Sequence, residues 1–156
     1  STLLREHRGD GHVAVLTAEG ISGRESNVLH AAAGKVQKEY MMRARDYDNE
    51  TWQRHEQALT ERGLLDESGA LTAAGAKFKD HIESATDRLA LSALDALDDH
   101  DVEKLFQALT PITRRVIAGG DIPAMTPMGL DRDGLGEVTW SGRGPSSSAS
   151  SATSSP

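Results

Sequence analysis

The 156-residue sequence contains no cysteine, which excludes disulfides and thiolate metal ligands and is compatible with a reducing cytoplasm. Aromatic residues are scarce: Trp52, Trp140, Tyr40, Tyr47, Phe78 and Phe106 are all there are. A core must therefore be assembled from Leu, Ile, Val and Ala, and Leu and Ala lose little freedom in helices. No apolar run approaches the roughly 20 residues of a membrane span, and no signal-peptide pattern is visible. A surplus of positive charge is missing as well. The net charge of −7 argues against a protein that coats nucleic acid, and leaves room only for a local basic patch. There is no initiator Met, and Leu3-Leu4 follow Ser1 at once. The chain is therefore expected to be the C-terminal part of a longer protein, cut inside or just before a helix.

What is present reads as a series of helices. Residues 1–8 look like a helix end, broken at Gly9-Asp10-Gly11. His12 to Ala18 is apolar enough to be buried, with Gly20 as its C-cap. Ser22 and Glu25 make a capping-box pattern that opens a helix closing near Gly34. Lys35 to Arg45 carries Val36, Tyr40 and Met41 at helical spacing. Asp48 is an N-cap for a helix with Trp52, His55 and Leu59 inward, ending at Gly63. Leu64-Leu65 and Ala70-Leu71-Thr72 flank the turn Asp66-Glu67-Ser68-Gly69 and predict a short β-hairpin. Thr72 caps a long helix with the stripe Phe78, Ile82, Ala85 and Leu89. Asp98 or Asp99 caps the last helix, whose apolar set runs from Val102 to Ile117 and wraps more than one stripe. That surplus predicts a partner surface. From Asp121 the composition turns to Pro and Gly, and residues 145–156 (PSSSASSATSSP) hold only Pro, Ser, Ala and Thr. The expected organisation is a domain over 1–120 and a largely disordered tail over 121–156.

This order of elements, with the run LTERGLLDESGALTAAGAKFKDHIESATDRL at 59–89, resembles the MarR-type winged-helix regulators. Gly63-Leu64, Leu71-Thr72 and Gly75 stand where that family leaves its recognition helix, closes its wing and begins its next long helix. A closer resemblance, over roughly residues 2–131, is to the C-terminal half of an actinobacterial helix-turn-helix family of largely uncharacterised proteins. It rests on LLREHRGDGHVA, VLHAAAG and TPMGLD. The likeness implies a mainly α fold: a winged helix-turn-helix with a short two-stranded β-wing and extra flanking helices. It implies a cytoplasmic, DNA-binding transcription regulator, open to ligand control. It also implies a homodimer, because MarR-type proteins pair through terminal helices; packing on a missing N-terminal region is the alternative.

The residues divide over DNA binding. With Trp52, His55 and Leu59 inward, Asn49, Gln53, Arg54 and Gln57 face outward, and each type pairs well with a purine edge. Lys35, Lys38, Arg43 and Arg45 are available for phosphate. Against this, Asp46 to Glu67 holds seven acids and two bases, a local balance of −5, and phosphate neutralisation supplies most of the affinity of such modules. The alternative is a degenerate winged helix that binds no DNA and serves as a small-ligand or protein-interaction module. A second candidate site is Arg5, His7, Arg8, Asp10 and His12, which could clasp a small anion or a metal. The plainer account is an inter-helix corner in which Asp10 caps the next helix. His30 and Trp52 are candidates for a small-molecule pocket, with core packing as the plainer account. No metal spacing, cofactor motif or catalytic constellation is present: there is no nucleophile elbow, no phosphate loop in strand-to-helix context and no HExxH.

Overall fold

The structure is a computed structural model that describes residues 2–122 and Arg132. Within them the helices are α1 (Thr2–Ala18), α2 (Gly23–Ala32), α3 (Lys38–Ala44), α4 (Asn49–Glu61), α5 (Ala73–Leu91) and α6 (Asp99–Gly119), with a 3-10 turn at Ser92–Leu94. Four N-caps set their starts. Ser22 Oγ accepts from the Glu25 N–H while Ser22 N–H donates to the Glu25 carboxylate at 2.8 Å. Asp48, Thr72 and Asp98 accept from the N–H groups of Thr51, Gly75 and Asp101 at 2.7, 3.0 and 2.8 Å. Each such cap stabilises its helix by about 1 kcal/mol.

The helices pack in two layers. α1 lies antiparallel on α5, held by polar contacts along its length. His7 Nε2 meets Leu89 O and Ser92 Oγ, Arg8 donates to Glu83 and Asp87 at 3.2 and 2.9 Å, and His81 pairs with Glu19 at 2.9 Å. α2, α3 and α4 form the second layer around Met41, Trp52 and Leu59. α6 touches the other helices sparsely and fully buries only Val102. Its Leu109, Ile112 and Val116 are 47%, 60% and 37% exposed, so the apolar surplus lies on the surface of the described residues.

Two sequence expectations are overturned. No two-stranded wing forms: among the described residues there is no strand, only one antiparallel bridge, Leu65 to Leu71. The physical reason is length. Leu64 and Leu65 follow directly on the α4 terminus, where Gly63 takes φ +71°. On the far side Thr72 is already committed as the cap of α5. Between them Asp66 Oδ1 accepts from Ser68 N–H and Ala70 N–H at 2.9 and 3.0 Å, which closes a side-chain-stabilised turn instead of a ribbon. Among the described residues the fold is thus all-helical.

The expected break at Gly9-Asp10-Gly11 is also absent, because α1 runs through it. Glycine costs about 1 kcal/mol in a helix, but Gly11 gives α5 its close approach: a Cβ there would sit 3.3 Å from Leu89 Cβ. Asp10 is exposed inside the helix and caps nothing. α3 is shorter than expected, beginning at Lys38 rather than Lys35. The predicted tail over 121–156 lies outside the described residues, apart from Asp121, Ile122 and Arg132.

Gly75, buried in the first turn of α5, lies under the Leu64 carbonyl; a Cβ there would overlap that oxygen and come within 3.0 Å of Leu71 Cδ1. Gly75→Ala should destabilise the protein by about 3 kcal/mol or more, the upper range of overpacking costs. Urea unfolding monitored by Trp fluorescence measures this, and a loss below about 1 kcal/mol would contradict the close approach.

Candidate nucleic-acid interface and adjoining cleft

α3 and α4 meet at a corner that turns within Arg45–Asp48. Asp46 takes φ +55° there, a left-handed conformation Asp tolerates better than most residues. Tyr47 is buried and locks the corner. Its hydroxyl donates to Arg24 O and accepts from Asn27 Nδ2, both at 3.0 Å. Its ring meets Trp52 edge-on at 5.2 Å, and the Arg24 guanidinium lies 4.6 Å from its centre. α2, the turn and α4 are thus tied through one side chain. Trp52 is 1% exposed, and its Nε1–H donates to Glu56 Oε1 at 2.6 Å.

The outward face of α4 carries Asn49, Glu50, Gln53, Arg54, Gln57 and Glu61, all exposed. Several of its neighbours are already engaged. Arg54 reaches back to Glu50 at 3.3 Å, and Gln57 donates to Glu61 at 3.0 Å. Lys38 pairs with Glu56 at 3.0 Å and sits 5.3 Å over the Trp52 ring. Arg62 donates to Gly20 O and Glu19 O at 2.7 and 3.1 Å, capping the end of α1. Arg43 is exposed on α3, its guanidinium 5.9 Å from the Tyr40 ring. The acids Asp46, Asp48, Glu50, Glu61, Asp66 and Glu67 are all exposed, and hydrogen bonds from Thr51 and from Ser68 hold Asp48 and Asp66 below the ordinary carboxylate range.

Beside this corner, an open cleft of about 1340 Å³ separates the α1/α5 layer from α2 and the segment that follows it. Four of the sequence-nominated ligand residues, Arg5, Arg8, His12 and His30, line it together with Lys35 and Arg45. The structure therefore gathers residues from two sequence-level sites into one. His7, Asp10 and Trp52 are not in its lining: His7 is bound to the end of α5, Asp10 faces solvent and Trp52 belongs to the core. Tyr47 had no signal of its own in the sequence, since the groups its hydroxyl binds, Arg24 O and Asn27, lie on α2. Among the described residues, no group of three or more His, Asp or Glu side chains could hold a metal ion, and no helix is long and apolar enough to cross a membrane.

The profile of a helix-turn-helix family matches residues 1–123. The chain belongs to this helix-turn-helix family. Comparison with curated proteins and with solved structures gives no significant match. Tyr47 lies in the turn between α3 and α4.

Two outcomes check this geometry. Tyr47→Phe removes the hydroxyl that joins Arg24 O and Asn27; unfolding should show a loss of about 1–3 kcal/mol, and a value near zero would mean the corner does not need that bond. His12 supplies a pH dependence. Thr86, fully buried, donates to Ile82 O at 2.8 Å, so its oxygen accepts from His12 Nδ1–H at 3.1 Å. Burial, with Arg8 and Lys79 adding to it, pushes His12 below its usual 6.5 against the pull of Glu83. The folded state thus disfavours the proton, and the unfolded state binds more of it below pH 6.5. Stability should be complete above that value and fall as pH drops below it. His12→Gln should flatten the slope there, and an unchanged slope would assign the dependence to other groups.

Proposed function

We propose that the protein is the DNA-binding module of a transcription regulator and presents α4 to the major groove. The observation that carries this is the exposed row Asn49, Gln53 and Gln57, with Arg54 beside it, on the second helix of a corner locked by Tyr47. A four-residue spacing keeps these side chains on one face. Asn and Gln can bond bidentately to adenine, and Arg54 to guanine once it leaves its exposed and weak pair with Glu50. Phosphate contacts fall to Arg43, Arg45, Lys35 and Lys38. Lys38 must give up Glu56 to take part, and the exposed acids of the turns repel the backbone. Affinity should therefore be modest and steeply salt-dependent.

A homodimer fits this reading. α6 carries Asp99 and Asp101 in its first turn and Arg114 and Arg115 towards its end. Two copies running antiparallel would bring opposite charges together around the exposed Leu109, Ile112 and Val116. Ile112→Glu with Val116→Glu should convert a dimer to a monomer in sedimentation. A wild-type chain that sediments as a monomer at every concentration removes the dimer without touching the DNA reading.

The acid excess around α4 favours one other reading: a helix-turn-helix scaffold that binds no DNA and serves ligand or protein recognition. Fluorescence anisotropy with mixed-sequence duplex separates the two. Binding at ~20 mM salt is expected, and Arg43→Ala should lower the slope of log affinity against log salt by about 0.9 for the phosphate lost. Gln53→Ala should relax preference at one base pair by about 1–3 kcal/mol on a selected site. No association at ~20 mM salt, where electrostatic affinity is greatest, leaves the second reading.

A further inference from the structure

The cleft between the layers has an apolar floor and a charged rim. Leu16, Leu29 and Ile82 belong to the core and also line the cleft, joined there by Phe78. On the α1/α5 wall the cations are already matched. Arg5 pairs with Glu6, while Arg8 and Lys79 share Glu83. Burial opposes charge on Glu83, but Lys79 and Arg8 outweigh it and hold its carboxyl below the ordinary value. On the opposite wall stand Lys35 and Arg45, both exposed, and neither has an ionic partner among the described residues. Asp80 is the one lining carboxylate without a described ion pair, so the unmatched charge of the rim is positive.

We propose that this cleft binds an amphipathic carboxylate, its apolar body on Leu29, Phe78 and Ile82 and its head group between Lys35 and Arg45. The planar guanidinium of Arg45 can donate two parallel hydrogen bonds to a carboxylate, and the Lys35 ammonium adds a point charge. The apolar floor of Leu29, Phe78 and Ile82 calls for an apolar body behind the head group. The lining also includes Asn27, whose side chain donates to the Tyr47 hydroxyl. A ligand there sits one hydrogen bond from the lock of the helix-turn-helix corner. The inference stands on the cleft alone and does not depend on DNA binding.

Isothermal titration of the full chain tests it with three probes: decanoate, decanol and inorganic phosphate. Decanoate should bind, with both decanol and phosphate weaker by about tenfold or more, the equivalent of one lost charge-assisted contact or of the apolar body. Lys35→Gln with Arg45→Gln should weaken decanoate by a similar factor. Both positions are exposed, and far-UV circular dichroism confirms that the variant is folded. Arg43→Gln, a cation outside the cleft, should leave decanoate binding unchanged. The proposal is overturned if decanoate does not bind, if decanol binds equally well, or if the double variant retains full affinity. It is equally overturned if Arg43→Gln weakens binding as much as the double variant, since that would mark diffuse charge attraction. Failure of the DNA assay leaves every one of these outcomes readable.

Discussion

The two helical layers are joined at a backbone carbonyl pressed against a glycine. Leu64 O accepts from Thr72 N–H at 3.1 Å and lies over Gly75, where no side chain would fit. That contact fixes where α5 begins relative to the end of α4. α5 in turn carries α1 along its length, so the α1/α5 layer is placed against the α2–α4 layer by this joint. The opening of the cleft and the exposure of α4 both follow from it. Thr72 strengthens the joint twice, capping Gly75 N–H and donating to Gly63 O at 2.7 Å. A β-branched hydroxyl residue and a glycine three positions apart thus set the joint where a β-wing was expected.

The charges are largely spent inside the fold. Lys38 is tied to Glu56, Arg62 to the carbonyls at the end of α1, and Arg8 to α5. The exposed pairs, such as Arg54 with Glu50, contribute little and are readily exchanged for another partner. Glu56 is different, because it also accepts from the buried Trp52 indole, and moving Lys38 away would leave that carboxylate with one partner fewer. Arg43, Arg45 and Lys35 are the cations near α4 that can meet an outside anion at small cost. Two of these three line the cleft, so under the proposed DNA reading the cleft and the phosphate backbone compete for the same side chains. A ligand carboxylate that occupies Lys35 and Arg45 would therefore lower DNA affinity through charge alone, before any change of shape.

Features whose partners lie within one turn were legible in the sequence. The caps at Ser22, Asp48, Thr72 and Asp98 each need a residue three positions away, and each forms as expected. The inward set of α4 was legible for the same reason, from the spacing of Trp52 and Leu59. What failed depended on long-range contacts. Gly9 and Gly11 look like a break because local propensity is all a sequence window contains, whereas His7, Arg8 and His12 are held by residues of α5 more than seventy positions on. The ribbon was misjudged because Leu64-Leu65 and Ala70-Leu71-Thr72 have strand-like composition but no room for more than one bridged pair. The cleft joins Arg5 and Arg8 to Lys35 and Arg45, and no spacing rule connects those segments.

The position of Tyr47 bears on how such a site could communicate. Its hydroxyl donates its one proton to Arg24 O and accepts from Asn27, so a shift of α2 strains both bonds at once. Asn27 faces both this hydroxyl and the cleft. A ligand that draws the Asn27 amide toward itself would leave a buried phenol one partner short, at a cost of about 1–3 kcal/mol unless the corner moves to restore the bond. Coupling of that size corresponds to the range in which one site changes the affinity of another by about 5- to 150-fold. The edge-on contact with Trp52 means that any such movement of Tyr47 is felt by α4 directly, since Trp52 and Leu59 anchor that helix in the core.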